Sequence, residues 1–273
     1  MKLKMQKDIT VIVILFNTPF KKIINLKQYK NFNLIIFEQG TQQSSIREIK
    51  KILDFKFNYF YSKKNLGLSK GMNFLIKKTK TKYCFITEPD ISIEEKSIIK
   101  LKKTIELNNN FLLVGPSYKK KKIKKNFQIT KKIDLSCVLF ETKKMRKFNF
   151  YDEDFFFFWT DTYLVKRVND SNYKMAISKN SFALHKMSTS SNNRISINLL
   201  REKSYKYGEL IFDYKHGSLR ALKIVRQLFQ SLLKTLFFLI VLDKKNFSIN
   251  CGYIFGILNF LIYLLKKNFK VLF

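Results

Sequence analysis

Along the first half of the chain one rhythm repeats: a short apolar run, a polar turn, then apolar residues every third or fourth position. "ITVIVILF" (9–16) is unbroken and rich in β-branched residues, as suits a strand covered on both faces. "NLIIF" (33–37) reads as a second strand, and in "SSIREIKKILDF" Ile46, Ile49 and Leu53 fall at helical spacing. "FNYFY" (57–61) follows as a third strand, and residues 68–78 as a helix with Leu68, Met72, Leu75 and Ile76 on one face. "KYCFI" (82–86) is a fourth strand, "EEKSIIKLKKTIEL" (94–107) an amphipathic helix and "FLLVG" (111–115) another strand. Such alternation predicts an α/β fold with a mostly parallel central sheet flanked by helices. In these sheets a ligand binds beyond the carboxyl ends of the strands. Glu38, Glu88 and Asp90 each follow a predicted strand, so the pattern gathers them at one edge.

Beyond the basic stretch 119–132, expected as a solvated loop or hairpin, come "DLSCVLF" (134–140), an aromatic segment and the strand-like "YKMAI" and "SFALH". From about residue 195 the pattern turns to long amphipathic and apolar helices. The run 222–242 is interrupted by Lys223, Arg226, Gln227, Gln230 and Lys234, and the run 253–265 is shorter than the ~20 residues a membrane span needs. Both are expected to rest on a bilayer rather than cross it. The sequence thus divides into a catalytic part, 1–195, and a C-terminal helical, membrane-associating part, 196–273.

Composition sharpens this picture. Lys and Arg number 53 against 20 acids, a formal charge of +33 over 273 residues. The lysines run from Lys2 to Lys270 alongside abundant Ile, Asn and Phe, a general bias rather than a nucleic-acid stripe. An anionic membrane surface is the expected partner, and nucleic acid is not. A basic membrane- or nucleic-acid-binding module is the alternative that the charge alone would support. Cys84, Cys137 and Cys251 lie far apart with no C-x-x-C pair, which excludes a thiolate zinc site and a disulfide framework. The N-terminal apolar run ends at "NTP" without a small-residue cleavage site, so it reads as a strand, and a cytoplasmic protein with free thiols is expected. Neither glycine-rich nucleotide motif is present, nor G-x-S-x-G.

In a chain so short of acids, "TEPD" (87–90) places two carboxylates around a proline at a strand end, which suits a divalent cation. Six segments in order, over about residues 9 to 190, resemble the inverting, nucleotide-sugar-dependent glycosyltransferase family 2 of the GT-A fold. Within it they look like the rhamnosyltransferase-like group. "VIVILFN" is similar to the opening strand, ending at Asn17; "IIFEQGT" to the V-D-N-G-S strand end, which puts Glu38 at the nucleotide base. "NLGLSKGMN" resembles N-x-G-x-x-x-G-x-N, carrying Asn65, Gly67, Gly71 and Asn73 as donor-binding residues. "TEPD" looks like the acid-x-acid metal motif, with Asp90 on the metal and Glu88 on donor or metal-bound water. "YDEDFFFFWTDTYLVKRV" is similar to F-D-E-x-F-F followed by E-D-x-D-L-x-x-R, which makes Asp161 the general base. "ALHKMSTSS" resembles the H-x-x-x-S segment and implies His185 as a ligand to metal and diphosphate.

Two departures stand out: Thr160 replaces the usual Glu and Tyr163 the second Asp of E-D-x-D, so a degenerate, non-catalytic transferase is a further alternative. The resemblance implies Mg²⁺ or Mn²⁺ as cofactor, a nucleotide-sugar donor (rhamnose among the sugars) and a glycan or lipid-linked glycan acceptor. Trp159, Asp152 and Glu153 are expected on the acceptor side.

Overall fold

The computed structural model describes residues 7–40, 46–118, 126–185 and 195–269. It divides into two compact units, one of Met1–Asp152 and Asp161–Ser188, the other of Glu153–Thr160 and Thr189–Phe273. The helical unit therefore includes residues 153–160, which the sequence reading places in the catalytic part.

Among the described residues, the first unit forms a nine-stranded sheet ordered β3-β2-β1-β4-β8-β6-β9-β5, with β7 paired to β9. The strands are β1 (Ile9–Leu15), β2 (Asn33–Gln39), β3 (Asn58–Ser62), β4 (Tyr83–Ile86), β5 (Ile91–Ile93), β6 (Phe111–Ser117), β7 (Phe127–Thr130), β8 (Val138–Glu141) and β9 (Lys174–His185). Their helices are α1 (Phe20–Ile23), which continues as a 3₁₀ helix over Ile24–Tyr29, α2 (Ile46–Leu53), α3 (Gly67–Lys78), α4 (Glu95–Ile105), α5 (Thr142–Lys147) and α6 (Thr160–Asn169). β1 has buried residues on both faces, as its unbroken Ile/Val pattern demands, and pairs in parallel with β2 and β4. One layer of core packs Ile9, Val11, Val13 and Ile36 with Ile49, Leu53, Ile98 and Leu101; the other packs Ile12, Ile35 and Ile86 with Met72, Leu75 and Ile76.

The sheet is mixed. Parallel pairing holds through β3-β2-β1-β4 and again for β6 with β9, while β8, β5 and β7 are antiparallel to their neighbours. A parallel return needs a crossover of a dozen residues or more, usually a helix. Among the described residues between β6 and β8 there is only strand β7, which occupies part of the expected basic loop, so β8 runs back against β4.

"YKMAI" and "SFALH" are one strand, β9, bent at Asn180 (φ 59°) where its register against β6 shifts.

The second unit holds α7 (Ile195–Lys215), α8 (Ala221–Ile240) and α9 (Lys244–Phe269). The apolar run read as 253–265 is the latter part of α9, and the stretch Lys244–Lys267 is long and apolar enough to cross a membrane by length and composition. It grows beyond the apolar run because Ser248 and Asn250, polar in sequence, lie on its buried face.

Candidate active site

"TEPD" forms a closed turn. The Ile91 amide donates to the Glu88 carbonyl at 3.1 Å, and Pro89 takes the position where its fixed φ favours such a turn. The segment after β1 holds this turn in place: Asn25 donates to the Pro89 carbonyl, while Gln28 donates to the Ile91 carbonyl and accepts from the Ile93 amide. The Tyr29 hydroxyl pairs with Thr87 at 2.8 Å inside the core. These contacts aim Glu88 and Asp90 away from the sheet edge in a fixed geometry. β5 then pairs with β9 so that Ile91 faces His185, delivering the imidazole to the same place.

Glu88, Asp90 and His185 each offer one ligand atom, all within 4.8 Å of one another. His185 Nε2 stands 3.9 Å from Glu88 Oε2 and 3.8 Å from Asp90 Oδ1. Asp90 Oδ1 is buried and has no hydrogen-bond partner among the described residues, while Oδ2 faces Lys22 Nζ at 3.7 Å. A buried carboxylate oxygen without a partner is costly unless a cation satisfies it. Two carboxylates and one imidazole with an unsatisfied oxygen fit a divalent ion.

Three residues not foreseen from sequence complete the cluster. Asp134 Oδ1 accepts from both the amide and the hydroxyl of Ser136, at 2.9 and 2.6 Å, while Oδ2 lies 3.6 Å from His185 Nδ1. The side chain of Tyr118 also donates to Asp134, and its ring lies 6.3 Å from that of His185. Burial opposes ionisation of Asp134, but the Ser136 and Tyr118 hydrogen bonds and His185 outweigh it and hold its carboxyl below the usual range. Asp134 arrives here because β8 is antiparallel to β4, so the residues before Val138 stand beside those after Ile86. Lys22, likewise unforeseen, comes from α1.

The concentration of negative charge is visible in the carboxyls. Glu88 is pushed up to about 7 by desolvation, then by Asp90, Asp161 and Asp134, against the pull of Lys22. Asp161, in the first turn of α6, is pushed up to about 7 by desolvation and by Asp134. Water still reaches both side chains and screens part of this effect. The influence of Asp161 on Glu88, and of Asp134 on both, places Asp161 in the same electrostatic neighbourhood as Glu88.

The remaining expected residues divide by task. Asn17 is exposed after β1 in a left-handed conformation (φ 50°). It lies beside Gly40, where an added Cβ would stand 3.0 Å from the Phe16 ring. Glu38, expected at the nucleotide base, is fully buried and accepts the Tyr59 hydroxyl at 2.5 Å.

Asn65 accepts from the Gly67 amide, and Gln39 at the end of β2 grips both the Leu66 amide and the Gly67 carbonyl. Gly67 needs its freedom at φ 80°, and a Cβ on Gly71 would stand 2.8 Å from Ile14. Asn73 is buried; its amide donates to the Tyr151 carbonyl at 2.9 Å and accepts from the Tyr151 amide at 3.0 Å. Gly71 and Asn73, expected at the donor, also pack and clasp the fold.

Asp152 ends the first unit's opening segment and Glu153 begins the second unit's. Trp159 (φ 67°) packs within the helical unit against Tyr205 and Phe212, at 5.8 and 5.1 Å between ring centroids. Gly208 makes this approach possible, since a Cβ there would meet the Phe158 carbonyl at 2.7 Å. Of the segment "ALHKMSTSS", the residues after His185 lie outside the described ones.

A curled mixed sheet with an acid cluster past its carboxyl edge is the GT-A architecture of nucleotide-sugar transferases. The description "Glycosyl transferase family 2" matches residues 10–170, and the chain belongs to that family. No curated protein matches it in sequence.

Among solved structures it is similar to a mannosyltransferase of Pyrobaculum calidifontis in complex with GDP-Man and Mn²⁺, with 11% identity, a TM-score of 0.57, and coverage of 76% of this chain and 65% of that one. It is similar also to GalNAc-T7 with UDP, GalNAc and Mn²⁺, with 9% identity, a TM-score of 0.54, and coverage of 65% and 42%. The third is S. aureus TarS, with 10% identity, a TM-score of 0.53, and coverage of 89% and 55%. The chain spans less than two thirds of the length of each of these proteins.

Proposed function

We propose that the chain is an inverting glycosyltransferase. In this reading it moves a hexose, with rhamnose among the candidates, from a nucleotide diphosphate to a glycan or lipid-linked glycan. It works at the cytoplasmic face of a membrane, where its basic surface meets anionic lipid. The observation that carries the reading is the Glu88–Asp90–His185 trio with the partnerless Asp90 oxygen. A bound Mg²⁺ or Mn²⁺ supplies positive charge to the leaving diphosphate. The ligands of two structural neighbours, UDP and GDP-Man with Mn²⁺, are of the kind this site would take.

The chain's own residues do the rest. Asp161, raised toward neutrality, accepts the proton of the acceptor hydroxyl as that oxygen bonds to the anomeric carbon from the face opposite the diphosphate. The bond from that carbon to phosphate oxygen breaks, and its electron pair leaves with the diphosphate. Lys22, beside Asp90, is a second cation close enough to meet the leaving group. Asn17 and the turn at Asn65–Gly67 border the donor, while Trp159, Asp152 and Glu153 remain candidates for the acceptor side.

The test is a panel of nucleotide sugars with and without Mn²⁺, read by thermal shift and by transfer. Donor-specific stabilisation that requires Mn²⁺ and disappears in Asp90→Asn is expected; folded protein that responds to no donor would sink the proposal. Thr160 and Tyr163 favour a second reading, a donor-binding protein without transfer. Donor binding with neither transfer nor hydrolysis would select it.

A further inference from the structure

The helical unit buries polar side chains beside apolar ones such as Leu210, Ile211, Ile257 and Phe260. Its buried positions include Ser204, Ser231, Ser248 and Asn250. Gly252 and Gly256, one helical turn apart, bring α9 onto the α7 backbone: added Cβ atoms would stand 2.9 Å from the Leu199 carbonyl and 2.7 Å from the Lys203 carbonyl. Lys223 of α8 bridges Asp213 and Glu209 of α7 at 2.6 and 2.9 Å, and Gln227 donates to Glu209.

On the other side of α8, Leu222, Val225, Phe229, Leu232, Leu236 and Ile240 follow one another at three- and four-residue steps and are 45–80% exposed. A water-facing helix would show the opposite arrangement. A contiguous apolar face of this size marks a surface meant to be covered.

The rim identifies the cover. Arg226 is exposed at the edge of the apolar sector, Lys234 is exposed on the flank that carries Lys223, and Lys244 and Lys245 open α9 beside the tip of α8. A symmetric dimer through this face would bring together the basic rims of two chains, each of formal charge +33. An anionic lipid leaflet offers acyl chains to the sector and opposite charge to the rim. α9, though long and apolar enough to span, has its glycine face committed to α7 and acts as the support.

We propose that α8 lies in the plane of an anionic leaflet, its Leu222–Ile240 sector among the acyl chains and Arg226 and Lys234 at the headgroups. This rests on the membrane association within the proposed function and gives it a specific face and depth.

The full chain would be sedimented with phosphatidylcholine vesicles, with and without phosphatidylglycerol. Nucleotide-sugar binding with Mn²⁺ would be measured on the same samples, so that failure at the membrane is separable from failure as a transferase. Pelleting with the anionic vesicles is expected, weakened about fivefold for each charge removed in Arg226→Gln with Lys234→Gln. Val225→Ser with Leu236→Ser should abolish it. All four residues are exposed, so both variants should melt in solution like the parent. Absence of pelleting, equal pelleting with neutral vesicles, or a dimer dissolved by the apolar pair would overturn the proposal.

Discussion

Replacing Asn73 with alanine tests whether the glycine–asparagine motif grips a ligand or the fold. The side chain is 3% exposed and joins helix α3 to the Tyr151 backbone by two hydrogen bonds. Each is worth about 1 kcal/mol net, and truncation also strands a buried amide and carbonyl at about 1–3 kcal/mol each. Part of that second cost is recovered by local relaxation or water, so a loss of roughly 2–4 kcal/mol is expected. In melting temperature this is a fall of about 10 °C for a unit of this size. Urea unfolding monitored at 222 nm, roughly the helical band, gives the free energy, and titration with nucleotide sugar and Mn²⁺ gives the affinity. The expected result is a lower midpoint with an unchanged slope and donor affinity close to that of the parent. Lys70→Ala, on the exposed side of the same helix, should do neither. Stability within about 0.5 kcal/mol of the parent, combined with weakened donor binding, would refute the clasp and restore Asn73 to the donor site.

Further predictions concern the acid cluster. Asp134→Asn should weaken Mn²⁺ binding about 10–100-fold, read by electron paramagnetic resonance, because His185 loses the carboxylate that faces its Nδ1. Transfer should fall as pH drops below about 7, since Asp161 must be ionised to take a proton and its carboxyl is raised to about 7. Removing the Asp134 charge favours the ionised form of Asp161, so in that variant the acidic limb should move to lower pH. Asp161→Asn should lower transfer about 10²–10⁴-fold with donor affinity retained; a smaller loss would take the base role from Asp161.

What could be read from sequence follows how local each signal is. β1, β2 and β4 were legible because a strand buried on both faces is an apolar run and its parallel crossover is an amphipathic helix. Glu88 and Asp90 were legible for the same reason, being the acids at such a strand's end. Asp134 was not. Its place depends on β8 returning antiparallel beside β4, which no residue near it announces; the weak signal was an acid opening "DLSCVLF". The motif located Asn73 but not the direction of its side chain, since its partner, Tyr151, lies far along the chain. The length of α9 was underestimated because Ser248 and Asn250 break the apolar run in sequence while facing its packed side in space.

The ladder that pairs Ile91 with His185 also sets a timetable. Translation completes the "TEPD" turn roughly a hundred residues before the imidazole that stands over it, at a synthesis rate of several residues per second. Until the ninth strand docks, the two crowded carboxylates stand without the imidazole. A three-ligand cluster of Glu88, Asp90 and His185 thereby exists only in chains that have finished building the sheet.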